Sequence, residues 1–219
     1  MLYDELCSLK DLIIIIYEKM QVYADIFEER NENKINFKNK CVKDFVDDKA
    51  MYIKPELTNS IHLFIDIILM NELEYLVEDE EYLVFGKREK NKKSFYDKLF
   101  RYQEKEDWKG NKGAFPINKC LNDLLGYRIV VKHNITLDMI YENLKKFITE
   151  KFGNKVSIYN ASKLDYKALH VYFKPSNFCF PCELQIWILE DEKSNLKSHE
   201  TYKQGYLYWE KYENAIKQE

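Results

Sequence analysis

Glycine and proline are scarce, 6 and 4 among 219 residues. That excludes linker arrays and low-complexity chains, whose compositions depend on them. Neither GxGxxG nor GxxxxGK followed by Ser or Thr occurs, so Rossmann and P-loop sites are excluded at the motif level. No charge of one sign prevails. Lys and Arg number 34, Asp and Glu 37, and the net charge is −3, so nucleic acid could be met only by a local patch. The five cysteines include one CxxC, Cys179-Phe180-Pro181-Cys182, with no second CxxC or nearby His to complete a zinc set. They read as reduced thiols of a cytoplasmic protein. Met1 leads into acidic residues with no basic segment of a signal peptide, and the apolar run 12–16 is too short to span a bilayer. No membrane association is expected.

Aromatic and aliphatic residues are plentiful: 46% of the chain is hydrophobic, with 17 Tyr and 13 Phe, enough for one sizeable core or two small ones. Leu6, Leu9, Ile13, Ile16 and Met20 recur at three to four positions and predict a helix over residues 1–30. A polar stretch, 28–40, reads as a loop or the exposed end of a helix. Pro55 opens a second helix with Leu57, Ile61, Phe64, Ile65, Ile68 and Leu69 inward, capped by Thr58, Asn59 or Ser60 and extending towards Leu73 and Leu76. His62 lies near that face and reads as packed. Residues 82–85 read as a short strand or extended segment, and 94–101 as a helix inside the most basic stretch, 87–105. Thr136 predicts the cap of a helix from Leu137 to about Lys151, ended by Gly153. Strands follow at 156–159, 169–173 and 182–188, the last alternating polar and apolar residues. A charged, Tyr-rich helix is predicted over 193–217. The class is α+β, a sheet with helices on one side after a helical N-terminal half.

Asp123-Leu124-Leu125-Gly126-Tyr127-Arg128 runs into the apolar triplet Ile129, Val130 and Val131, a buried strand. A carboxylate and a guanidinium beside a core strand need a partner, a metal or a ligand, because burying either alone is costly. By itself this is a helix-to-strand junction with surface charges; the 87–105 stretch is a solvated basic face, Tyr166 ordinary packing, and Glu183 a water-facing strand residue.

Four fragments change that. Arg88-x-Lys90-x-x-x-Ser94-x-x-x-Lys98-Leu99, Asp123-x-x-Gly126-x-Arg128, Tyr166-Lys167-Ala168-Leu169-His170 and Glu183-Leu184-Gln185-Ile186 stand in this order, with His199 sixteen positions after Glu183. Order and spacing resemble the synthetase domain of the RelA/SpoT family, in its single-domain small alarmone synthetase form, over residues 85–203. The resemblance implies a nucleotidyltransferase-like mixed β-sheet flanked by helices. The chain would be one synthetase-like domain, 1–219, with a helical part (1–80) and a nucleotide-binding catalytic core (85–203). It also implies an ATP-dependent pyrophosphokinase that moves the β,γ-pyrophosphate of ATP to a ribose 3′-hydroxyl. Asp123 and Glu183 would hold Mg²⁺, and Glu183 would help deprotonate the hydroxyl. Arg88, Lys90, Ser94, Lys98 and Arg128 would bind ATP, the two arginines sandwiching adenine. Tyr166 would stack on the acceptor base, and His170, Gln185 and His199 would contact acceptor phosphates or sugar.

Four positions depart from the family pattern: Asp165 replaces a Gly, Trp187 an Arg, Glu192 an Asn and Ser198 a Glu. All lie on the acceptor side. The resemblance then implies ATP as donor and a changed acceptor. The favoured one is the 3′-CCA end of tRNA, as in toxins of toxin–antitoxin pairs, with an antitoxin protein as partner. Lys87, Lys92, Lys93, Lys193 and Lys197 would meet the tRNA backbone. The alternative is a (p)ppGpp synthetase using GTP or GDP, with Glu192 accepting from guanine. The second alternative is an inactive nucleotide- or partner-binding module. No hydrolase domain or HD-type metal dyad is visible, so the protein is expected to make its product and not degrade it.

Overall fold

The structure, a computed structural model, describes residues 2–70, 83–89, 92–132 and 135–203. Helix α1 (Leu2–Arg30) buries Leu9, Ile13, Ile16, Met20 and Phe27 completely, the stripe of an amphipathic helix. A loop and a two-stranded ribbon, β1 (Val46–Asp47) and β2 (Tyr52–Ile53), lead into α2 (Pro55–Met70). Proline suits the first helical position, where its missing N–H goes unused. The expected caps are a correction. Thr58 and Ser60 lie inside the helix and donate to the carbonyls of Pro55 (3.1 Å) and Glu56 (2.7 Å), the back-bonding of hydroxyl residues within helices. His62 is exposed rather than packed. The extension towards Leu73 and Leu76 lies outside the described residues.

The second half contains β3 (Leu83–Glu89), α3 (Lys92–Glu104), the short α4 (Ile117–Cys120), β4 (Leu125–Val131) and α5 (Leu137–Phe152). After these come β5 (Val156–Asn160), β6 (Leu169–Phe173), β7 (Cys182–Ile188) and α6 (Glu192–Lys203). Thr136 caps α5 by accepting from the Met139 N–H at 3.3 Å, and Gly153 ends it at φ 57°. Two boundaries differ from the sequence pattern. β4 starts at Leu125, four residues before the β-branched run, and β3 carries Lys87, Arg88 and Glu89 before α3 begins. β3 is an edge strand, where charged residues are tolerated and discourage further pairing. Of the expected tail helix, the part beyond Lys203 lies outside the described residues, as does Tyr82 of the expected strand.

The five larger strands form one mixed sheet in the order β3-β4-β7-β6-β5, parallel between β4 and β7 and antiparallel elsewhere. Strand alternation divides it into two faces. Tyr127, Ile129, Leu184, Ile186, Leu169 and Val171 join the core built by α1, α2 and α5. Phe180, in the loop before β7, stacks on Phe37 (4.2 Å between ring centres) and meets the edge of Phe27, so the N-terminal helices and the sheet share one core. Cys179 and Cys182 are fully buried there, and burial pushes both thiols up. The opposite face carries Arg128, His170, Tyr172, Glu183, Gln185 and Trp187. β7 is central and buried along its whole length, so its polar residues do not face water: Glu183 and Gln185 are each 5% exposed. Among the described residues no helix is long and apolar enough to cross a membrane.

Candidate active site

Glu183 occupies the centre of the polar face. A carboxylate this deep needs partners for both oxygens, and it has them. Oε1 accepts from the Tyr172 hydroxyl at 2.9 Å and lies 3.0 Å from His170 Nδ1; Oε2 accepts from Gln185 Nε2 at 2.7 Å. Burial alone would push the carboxyl up. The His170 and Tyr172 contacts outweigh both burial and the repulsion of Asp123, and hold it below its ordinary value. The Tyr172 hydroxyl moves the other way, raised by burial and by Glu183, and so remains a donor.

Register brings these groups together. Tyr172 pairs with Glu183, His170 with Gln185, and Arg128 with Gln185 from the other side. Arg128 donates to Gln185 Oε1 from Nε (3.4 Å) and from a terminal nitrogen (3.2 Å). Its guanidinium lies 3.7 Å above the Trp187 ring. Trp187 Nε1 donates to the Tyr166 hydroxyl at 3.4 Å, which stands 2.8 Å from His170 Nε2. His170 thus bridges Glu183 through Nδ1 and Tyr166 through Nε2. The contacts close a circuit: Glu183, Gln185, Arg128, Trp187, Tyr166, His170 and back to Glu183.

Lys98 and Asp123 make a second group. Lys98, on α3, donates to Asp123 Oδ1 at 3.0 Å and to Asn122 Oδ1 at 3.1 Å; lysine and aspartate side chains are only 15% and 14% exposed. Burial would lower the ammonium, but the Asp123 charge, aided by Cys120, prevails and raises it. Asp123 stands two residues ahead of β4, close enough for its charge to reach Glu183. Ser94 lies one turn before Lys98, half-buried on the same helical face.

The other sequence candidates are placed less fully. Arg88 pairs through its backbone with Gly126, which itself pairs with Glu183; the side chains of Arg88 and of His199, a residue of α6, lie outside the described part. Lys90 is outside the described residues. Tyr166 closes a tight turn in which Lys163 and Tyr166 exchange backbone hydrogen bonds of 2.8 and 3.1 Å. The positive φ of that turn (54°) falls on Leu164, not on Asp165 where the family pattern has glycine. Asn195 of α6, fully buried, clamps the next residue: its Oδ1 accepts from the Lys167 N–H at 2.7 Å and its Nδ2 donates to the Lys167 carbonyl at 2.8 Å.

Sequence reasoning missed Tyr172, Asn122 and Asn195. Tyr172 had a usable signal, since it sits two residues from His170 on a strand and therefore shares its face. Asn195 had none, because its partners are backbone atoms 28 residues away. Among the described residues no three His, Cys, Asp or Glu side chains gather as a metal cluster. Two carboxylates that repel each other across one face still fit a hard divalent cation, which takes oxygen ligands and completes its shell with water and phosphates.

A mixed sheet presenting a buried, ionised carboxylate beside an acid–lysine pair suits phosphoryl-type transfer, which depends on positioning and charge neutralisation. Residues 87–206 match a family model described as a region found in RelA / SpoT proteins. The match spans more than half of the chain, and the chain belongs to the RelA/SpoT family. The activity carried by membership is pyrophosphate transfer of the (p)ppGpp-synthetase type, with nucleotide substrates. No curated protein matches the chain.

Proposed function

We propose that the protein is an ATP-dependent pyrophosphokinase that transfers the β,γ-pyrophosphate of ATP to a ribose 3′-hydroxyl, with the 3′-CCA end of tRNA as acceptor. The observation that carries the catalytic assignment is the circuit around Glu183: a carboxylate kept ionised inside the protein, beside the turn that presents Tyr166. Glu183 takes the proton of the attacking hydroxyl, and His170 and Tyr172 hold its orientation. Lys98 and Ser94 meet phosphate oxygens, with Arg88 and Lys90 from the preceding segment. Arg128 packs on adenine with the face not given to Trp187. Tyr166 stacks on the acceptor base; Gln185 and His199 contact its sugar or phosphates. Mg²⁺ held by Asp123 and Glu183 would supply charge neutralisation at the transferred phosphates.

Support for a tRNA acceptor comes from where the family pattern breaks. Trp187 replaces an arginine and is fully buried under Arg128 and beside Tyr166. An aromatic floor there removes a cation that a nucleotide's own phosphates would use. Exposed Lys93, Lys193 and Lys197 suit a polynucleotide backbone. One observation favours the second reading, GTP or GDP as acceptor: Glu192 is half-buried at the first position of α6, where it can accept from guanine.

The test offers deacylated tRNA and GTP/GDP in parallel, with Mg²⁺ and ATP labelled in its terminal phosphate. Label on tRNA is expected. Label on the guanine nucleotide alone would establish the second reading, and label on neither would remove the catalytic assignment.

A further inference from the structure

A cavity of about 590 Å³ has a lining that includes Lys38, Lys119, Lys155 and Lys174, with Asn118 and Ser176 and no acidic side chain. Lys174 reaches Ser157, which pairs with Tyr172 next to Glu183, so the cavity borders the Glu183 face. Solvated lysines are ordinary singly. Here four line one concavity in a chain of net charge −3. None of the four has a carboxylate partner among the described residues. Lys174 is half-buried and donates to the Ser157 hydroxyl at 3.1 Å, an uncharged group that leaves its charge unbalanced.

The walls are fixed. Lys174 N–H donates to the Lys155 carbonyl (2.8 Å), Phe37 N–H to the Asn177 carbonyl (2.8 Å) and Asn118 N–H to the Phe37 carbonyl (3.0 Å). These bonds tie the loop after α1, the start of α4, the start of β5 and the segment after β6 around one space. Its volume is that of a small-molecule site, roughly 300–1,000 Å³. Lysine ammonium groups with amides and a hydroxyl are the chemistry of phosphate recognition. We propose that this cavity is a second anion site that takes an oligophosphate chain, free or carried by a nucleotide. It shares no residue with the proposed catalytic face.

The probe is inorganic tripolyphosphate, titrated by calorimetry into the full chain in a Lys98→Ala background, which weakens phosphate binding at the catalytic face. Binding is expected to persist there, to weaken at least tenfold in Lys119→Glu/Lys155→Glu, and to fall with added salt. Both positions are exposed, and Lys119→Ala/Lys155→Ala serves as a milder pair should charge reversal impair folding. Binding already lost in Lys98→Ala, or unchanged within twofold in both double variants, would overturn the proposal. ATP binding tighter than tripolyphosphate at this site would mark a nucleotide as the source, and equal or weaker binding a free oligophosphate. The readout is binding and not transfer, so it stands apart from the outcome of the acceptor assay.

Discussion

Glu183 keeps its charge inside the protein because Tyr172, His170 and Gln185 meet both of its oxygens. Glu183→Gln preserves shape and most of that bonding while removing the proton acceptor. Transfer is expected to fall by at least a hundredfold, the usual scale for a general base, with the folded state retained by circular dichroism. A folded variant of ordinary activity would exclude Glu183 from the chemistry. Trp187 tests a different link. Its ring fixes the plane of Arg128 at 3.7 Å, and a desolvated cation–π contact is worth about 1–2 kcal/mol. Trp187→Leu is therefore expected to raise KM for ATP about tenfold, with a smaller change in kcat. If KM for ATP stays put, Arg128 does not depend on Trp187 for its position.

The turn that presents Tyr166 is an element under strain. Two-residue turns of this kind favour glycine at the position with positive φ, and here Leu164 holds it, 89% exposed. The left-handed region costs a side chain on the order of 1 kcal/mol, and an exposed leucine recovers little by packing. Leu164→Gly is expected to raise the melting temperature by about one degree after the entropic loss of the glycine; a fall of several degrees would mean that Leu164 makes contacts that outweigh the strain. Such non-local conditions separate what was legible in the sequence from what was not. α1 and α5 were readable because their stripes, and the cap at Thr136, are local. Asp123, Glu183 and the Tyr166 fragment were singled out only by resemblance to the family's fragments, and of these the structure joins Tyr166 and Glu183 through His170. The burial of Glu183 was not, since polar–apolar alternation reads the same in a central strand as in one open to water, and only the sheet order made β7 central. The caps expected at Thr58 to Ser60 failed because a helix that begins at Pro55 holds all three inside its first turns.

For the molecule as a whole, the two charged groups bound a window of pH. Glu183 has a folded pKa below its ordinary 4.5, so its ionised network adds stability that is present above that ordinary value and lost as pH falls through the folded one. Lys98 has a folded pKa above its ordinary 10.5. Its pairing with Asp123 adds stability that is present below that value and lost as pH rises through the folded one. One group lies on β7 and the other on α3 against the start of β4, so the alkaline limb reports the attachment of α3 to the polar face. Urea denaturation across pH is expected to show the wild-type advantage over Glu183→Gln shrinking only on the acid side. The advantage over Lys98→Met should shrink on the alkaline side as Lys98 loses its proton, and in acid as protonation of Asp123 breaks the same pair. An advantage over Glu183→Gln that stays constant into acid would mean that His170 and Tyr172 do not hold the carboxylate ionised, and the proton acceptor proposed for transfer would lose its physical basis.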